Sequence, residues 1–175
     1  GADIIEFAVH EPEKIDIAAL RGAIETAGME NCPVCGMFPP ERDLRGTEEQ
    51  QENTRVYVGR LIELASEIGS KIVAGPFYSS VGRCNLPTEA GGQEQSDLVA
   101  RNLEPICAQA EQAGITLALE PLNRFETDFI NTLEQAQAMI EKVGSPALKI
   151  LADTFHMNIE EENSAEAVKK AGNLI

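Results

Sequence analysis

Two apolar stretches of the sequence each end in a carboxylate. Glu120 closes the run ITLALE, and Asp153 closes the run LKILAD. If these runs are neighbouring parallel strands, their carboxyl ends face one pocket, where burial opposes ionisation unless a cation compensates. Magnesium, manganese and cobalt ions prefer oxygen ligands of this kind, with some imidazole. The pattern therefore indicates a divalent metal site, the alternative being that each acid caps the loop or helix that follows it.

The segments after these two acids add further candidates. His156 follows Asp153 by three residues, in a predicted turn, where it could ligate a metal, shuttle a proton or donate a hydrogen bond to a hydroxylated substrate. A structural role for this histidine is the alternative. In the loop after Glu120, Arg124 and Glu126 either serve the site or pair with each other. Asn123 is expected to brace that loop through side-chain-to-backbone hydrogen bonds.

Other polar residues point to chemistry less strongly. Glu6, in the first predicted strand, is a weaker candidate of the same type as Glu120. The run Glu160 to Glu162 is expected to be a solvated helix entrance. Cys32 and Cys35 form a C-x-x-C with no second pair after it, so we interpret them as small strand residues around a turn at Pro33, with a redox or metal role as the alternative.

These residues are carried by a regular alternation of short apolar runs and longer amphipathic stretches. The first kind predicts strands and the second predicts helices. The predicted strands are Asp3–Val9, Asn31–Phe38, Lys71–Phe77, Ile115–Glu120 and Leu148–Asp153, with Asn173–Ile175 as the start of a sixth. The predicted helices include Asp16–Ala27, a helix opened by Thr47 and Gln50, another opened by Thr132 and Gln135, and a last one capped by Asn163.

The alternation predicts an α/β fold with a parallel sheet covered by helices. Successive strands begin about 34 residues apart, so eight units need about 270 residues, close to the ~250 that are typical of a (β/α)8 TIM barrel. A chain of 175 residues then holds about five consecutive βα units of an incomplete barrel, as one domain over 1–175. An open nucleotide-binding sheet is disfavoured because neither G-x-G-x-x-G nor a P-loop is present.

Composition excludes several classes of function. The formal net charge of −15 opposes contact with nucleic acid or an acidic membrane surface. No apolar run approaches the roughly 20 residues that span a bilayer. Two histidines, His10 and His156, leave no room for a metal site built mainly on imidazole. Four cysteines in a chain large enough to bury a core favour a reducing compartment, so we expect a cytoplasmic protein.

Two longer motifs resemble a known family. The segments LALEPLNRFETDFINT (Leu117 to Thr132) and LADTFHMNIEE (Leu151 to Glu161) strongly resemble the ketose 3-epimerases of the D-tagatose and D-psicose (D-allulose) type. Those enzymes belong to the xylose isomerase-like sugar isomerase and epimerase barrels. The resemblance extends over the chain in element order, but these two segments carry its specific motifs.

The resemblance implies one divalent ion, most often Mn²⁺ with Mg²⁺ or Co²⁺ as substitutes, bound by two Glu, one Asp and one His. Glu120 matches the first metal-binding glutamate, which is also one of two acid/base groups, and Asp153 matches the metal-binding aspartate. Glu126 and His156 match the pair that hydrogen-bonds the carbonyl end of the sugar. The family's histidine ligand and second catalytic glutamate have no counterpart up to Ile175, so the isolated chain is expected to lack part of its active site.

The implied reaction is inversion at C3 of a free ketose, by glutamate-mediated proton transfer through an enediolate that the ion stabilises. The implied partner is a small sugar, and the resemblance suggests a homo-oligomer. Alternatives within the same barrel family are hydroxypyruvate isomerases and other sugar or inositol isomerases and dehydratases. Outside this family, one alternative is a non-catalytic carbohydrate-binding or assembly module. Another is a DNA-repair endonuclease, and the low histidine count and the acidic charge disfavour only this second one.

Overall fold

The fold is built on one parallel sheet whose strands follow each other in chain order. A computed structural model describes residues 2–85 and 89–175, and in these residues the sheet has five strands in the order β1-β2-β3-β4-β5. A doubly wound sheet reverses its strand order part-way, whereas a barrel does not. The order therefore confirms the expectation of a partial (β/α) barrel. The strands are β1 (Phe7–Val9), β2 (Val34–Gly36), β3 (Ile72–Gly75), β4 (Thr116–Leu119) and β5 (Leu148–Ile150).

Helices connect the strands and cover the sheet. They are α1 (Ile17–Ala27), α2 (Glu48–Glu67), α3 (Glu89–Ala113), α4 (Leu133–Val143), α5 (Thr154–Glu160) and α6 (Ser164–Ala171), with short 3₁₀ helices at Pro12–Lys14 and Gly172–Leu174. None of the helices in the described ranges is both long and apolar enough to cross a membrane.

Helix starts follow the local chemistry that the sequence indicates. The side chains of Thr47 and Thr132 each accept a hydrogen bond from the backbone N–H three residues on. The side chains of Gln50 and Gln135 accept one from the backbone N–H of Thr47 and Thr132, so both capping boxes are formed. The side chain of Asn163 caps α6 by accepting a hydrogen bond from the N–H of Glu166. These bonds satisfy amides that the first helical turn leaves without a partner.

The core lies between the sheet and the helices. Val34, Val73 and Leu117 occupy one register level across β2, β3 and β4, and each is fully buried. Leu61 and Leu103 of α2 and α3 are buried against this layer. Continuously apolar strands fit a sheet that is covered by helices, as the sequence predicts.

All five predicted strands are longer than the observed ones, and the sixth does not form in the residues that the structure describes. Asn173 does not begin a strand, because the chain continues from α6 into the 3₁₀ turn Gly172–Leu174. Strand β1 spans only Phe7–Val9, and the residues before it are solvent-exposed, including Ile4 at 57% and Ile5 at 46%. Glu6 therefore precedes β1. The strand prediction at both places rested on apolar residues alone, but neither segment is paired into the sheet that the structure describes.

Leu117→Ala tests the core assignment. Leu117 is 0% exposed, so its truncation should lower the free energy of unfolding by about 2–5 kcal/mol. Val56→Ala in α2 is the control, because Val56 is 55% exposed and should change stability by less than about 0.5 kcal/mol. Urea unfolding followed by circular dichroism measures both. Equal losses for the two variants would contradict the core described here.

Candidate metal centre

Glu120, Asp153 and His156 meet at the carboxyl end of the sheet. One potential ligand atom from each lies within 4.8 Å of the other two. Glu120 follows β4 directly, while Asp153 and His156 come from the start of α5, just after β5. The sequence placed all three residues at this end of two neighbouring strands, and the structure brings them together.

The backbone of Glu120 is fixed from two sides. Its N–H donates to the carbonyl of Gly75 at 3.1 Å, and its own carbonyl accepts from the hydroxyl of Tyr78 at 3.0 Å. Gly75 has a φ of +142°, and a Cβ there would lie 3.3 Å from the carbonyl oxygen of Gly36, so only glycine fits well at this position. Tyr78, which sequence reasoning missed, also accepts from the N–H of Leu122 at 3.2 Å.

Electrostatics around Glu120 oppose its ionisation. Its side chain is 13% exposed. Burial and the neighbouring charges of Asp153, Glu6 and Glu126 together raise its pKa to about 7. Glu6 thus acts on the site through its charge although it lies before β1. A proton or a cation is needed to hold these carboxylates together.

The two carboxylate oxygens of Asp153 face different partners. Its Oδ1 accepts from the N–H of Phe155 at 2.7 Å and caps α5. Its Oδ2 lies 4.0 Å from Nε2 of His156, on the side of the cluster. The capping and the metal-binding interpretations of this residue are therefore compatible in one geometry.

His156 lies inside helix α5, not in a turn as the sequence suggested, because Asp153 starts a helix immediately after the strand. Its Nδ1 is 3.1 Å from the backbone nitrogen of Asn123, which donates to it. Its Nε2 is 3.7 Å from Oε1 of Glu120. The ring is buried at 7% exposure, with the ring of Phe155 against it at 5.2 Å between centroids.

Glu126 is connected to this cluster through Asn123. Its Oε1 accepts from Nδ2 of Asn123 at 2.7 Å, and its backbone carbonyl accepts from the N–H of Gly82 at 2.6 Å. Asn123 also accepts from the N–H of Phe125 through Oδ1 at 3.0 Å, which confirms the expected bracing of the loop.

The alternative of an Arg124–Glu126 ion pair is wrong, because Arg124 binds Glu160 instead. Glu160 accepts from the backbone nitrogen, Nε and Nη2 of Arg124 at 2.7, 2.9 and 3.0 Å. The Glu160 side chain is only 6% exposed, and the bonds from Arg124 lower its pKa. The expectation of a solvated acidic run is therefore wrong for Glu160. Glu161 is half-buried, and its Oε1 accepts from the N–H of Leu133 at 2.8 Å.

The two cysteines of the C-x-x-C are not bonded to each other in the structure. Cys32 and Cys35 are both free, Cys32 being buried and Cys35 lying within β2. Burial, together with the charges of Glu6 and Glu120, raises the pKa of the Cys35 thiol to about 12. A thiol that stays protonated is a poor nucleophile and metal ligand, which supports the structural interpretation of the pair.

Comparison with known sequences places this geometry in a family. Residues 1–174 match the model of the family described as xylose isomerase-like TIM barrel. The chain belongs to this family. Active sites of TIM barrels lie at the carboxyl ends of the strands, which is where Glu120 and Asp153 lie.

Several relatives within the xylose isomerase-like barrels are named ketose 3-epimerases, as the two motifs indicate, and another is a 3-dehydro-D-guloside 4-epimerase of Escherichia coli. An L-ribulose 3-epimerase of Mesorhizobium japonicum is 32% identical over 176 residues, covering 100% of this chain and 58% of that protein. A D-psicose 3-epimerase of Enterocloster bolteae is 47% identical over 75 residues, covering 43% of this chain and 25% of that protein. A solved L-ribulose 3-epimerase structure has a TM-score of 0.91 at 32% identity, covering 100% of this chain and 58% of that one. The chain thus spans just over half the length of each of the two L-ribulose 3-epimerases.

Glu120→Gln should change how the stability of the metal-free protein depends on pH. The pKa of Glu120 is about 7 in the fold against an ordinary 4.5, so folding takes up a proton between these values and stability falls as pH rises through them. Glutamine removes this loss. We expect the variant to gain about 1–3 kcal/mol over the wild type on going from pH 4.5 to pH 8, measured by urea unfolding with a chelator present.

Glu104→Gln is the matched control for this measurement, because Glu104 is an exposed glutamate of α3. It should follow the wild-type pH dependence. If Glu120→Gln also follows it, the carboxylate cluster does not hold Glu120 in the neutral form.

Proposed function

We propose that the chain forms part of the active site of a metal-dependent ketose 3-epimerase that acts on a free ketose. The observation that carries the proposal is the cluster of Glu120, Asp153 and His156 at the carboxyl end of the sheet. The names of the relatives support the reaction, and the two epimerase-like motifs contain all three residues.

The donor set fits a hard divalent ion. Burial and the neighbouring carboxylate of Asp153 raise the pKa of Glu120 in the absence of any cation, and a dication would offset both effects. Glu120 and the Oδ2 atom of Asp153 are the groups that would hold it. Oxygen donors suit Mn²⁺, Mg²⁺ or Co²⁺, and we propose Mn²⁺ on the resemblance.

A bound ion supplies Lewis-acid polarisation of the oxygens at the carbonyl end of the sugar. In the proposed reaction Glu120 takes the proton from C3 on one face of the substrate. The Nε2 atom of His156 and the Glu126 carboxylate hydrogen-bond the carbonyl end of the ketose, and so orient C3 towards Glu120. A second acid on the opposite face, from outside the described residues, returns the proton.

Two further properties belong to the same proposal. Four free cysteines in the chain are consistent with a reducing compartment, so we propose a cytoplasmic enzyme. We also propose a single domain that functions in a homo-oligomer, with neither nucleic acid nor membrane as a partner. The net charge of −15 supports the last part.

The test uses the full-length protein that contains this chain, with D-fructose, D-tagatose and D-ribulose as substrates and Mn²⁺ added after chelation. We expect inversion at C3 of at least one ketose, and a loss of about 10²–10⁴-fold in kcat for Glu120→Gln. Asp153→Asn should weaken Mn²⁺ binding, followed by electron paramagnetic resonance, with little loss of stability because asparagine also caps helices.

Glu104→Gln is again the control and should retain activity and Mn²⁺ affinity. Activity that survives chelation, or that Glu120→Gln leaves unchanged, would exclude the proposed mechanism. Mn²⁺ binding without inversion of any of the three ketoses would favour another isomerase of this family or a carbohydrate-binding module.

A further inference from the structure

Asn123 occupies the centre of the hydrogen bonds behind the metal cluster. It is 2% exposed and lies in the loop between β4 and α4. Its backbone nitrogen donates to Nδ1 of His156 at 3.1 Å, and its Nδ2 lies 2.9 Å from the same ring atom. Nδ2 also donates to Oε1 of Glu126 at 2.7 Å. One buried amide thus contacts both residues that the proposed function assigns to the sugar.

The orientation of this amide is determined by its surroundings. Oδ1 of Asn123 lies 3.0 Å from the backbone nitrogen of Phe125, which can only donate. The oxygen must therefore face Phe125, and the NH₂ group must face Glu126 and His156. With two hydrogens available, Nδ2 can serve both neighbours at once.

The same contacts determine which ring nitrogen of His156 carries the proton. Nδ1 faces two donors from Asn123, a backbone N–H and a side-chain NH₂, so it must present its lone pair. In a neutral imidazole the proton then resides on Nε2. Nε2 is the atom that faces Glu120 at 3.7 Å and Asp153 at 4.0 Å.

We propose that Asn123 is a positioning residue that fixes His156 as the Nε2–H tautomer and, through the same NH₂ group, aims the Glu126 carboxylate. The tautomer makes His156 a hydrogen-bond donor towards the cluster, and it opposes ligation of a metal through Nε2, which would need a lone pair there. The role of the pair in sugar binding rests on the proposed function, whereas the tautomer does not.

Asn123→Asp separates positioning from packing, because it keeps the shape of the side chain and the backbone N–H. It replaces the NH₂ donor with a carboxylate oxygen that faces Nδ1 of His156 and Oε1 of Glu126. The backbone N–H of residue 123 still donates to Nδ1, but the second donor is replaced by an acceptor, so the fraction of His156 with a proton on Nδ1 should rise. Asn102→Asp is the matched control, because Asn102 is also buried and donates through Nδ2 to Gln51 and Leu98, away from the site.

The experiment is long-range ¹H–¹⁵N correlation NMR of the histidine rings, on ¹⁵N-labelled metal-free protein at about pH 9, well above the ordinary pKa of an imidazole. The chain has two histidines, so His10→Gln identifies the signals of His156. We expect an unprotonated Nδ1 and a protonated Nε2 in the wild type and in Asn102→Asp, and a measurably larger fraction of Nδ1–H in Asn123→Asp.

A wild-type spectrum with protonated Nδ1 would overturn the proposal without any variant, so a failure of Asn123→Asp to fold does not protect it. An unchanged tautomer population in folded Asn123→Asp would overturn the positioning role of the Asn123 side chain, because the backbone N–H alone would then hold the ring. In the full-length protein with an epimerisable ketose, kcat/KM should fall about 10- to 100-fold in Asn123→Asp and stay unchanged in Asn102→Asp. If no ketose is epimerised but the tautomer is as expected, the proposed function fails and the positioning role stands.

Discussion

The crowding of carboxylates at one end of the sheet is the constraint to which the surrounding structure responds. Glu120 is buried and is held by backbone hydrogen bonds beside Asp153. Its burial, with the charges of Asp153 and Glu6, raises its pKa to about 7. Like charges in a half-buried position repel, and loops that carry them tend to move apart. The segment after β4 itself carries Glu126, whose charge adds to this repulsion, so other bonds must hold the segment in place.

Neutral groups do this near the cluster, and ion pairs do it farther out. The hydroxyl of Tyr78 and the amide of Asn123 hold the segment next to Glu120. Arg124 and Glu160 tie the same loop to α5 by a two-pronged pair at the periphery. Fully buried Arg45 forms an ion pair with Asp128, with 2.8 Å between Nη1 and Oδ1, and joins the loops after β2 and β4. These ion pairs thus hold the outer part of the loops and leave the negative charge around Glu120 uncompensated.

Sequence reasoning recovered what depends on local pattern and missed what depends on loop geometry. The five strands, their order and the capping boxes follow from periodicity and short-range chemistry. The bond between Asn123 and His156 joins residues 33 positions apart, and that between Arg124 and Glu160 spans 36. Neither pair can be inferred from spacing, although Glu160 lies four residues after His156 on one short helix and could have been examined for a buried partner.

The site also shows why one part of it forms a contiguous motif and the other does not. Asp153 caps α5 and His156 lies three residues on, so a single helical turn brings both to one side, and the pattern D-x-x-H carries that geometry in the sequence. Glu120 comes from another strand, and the pairing of Leu119 with Ile150 sets its distance from Asp153. A slip of one residue between β4 and β5 would turn Glu120 to the other face of the sheet. The buried register of Leu117 with Leu148 opposes that slip, so the apolar core determines the geometry of the polar cluster.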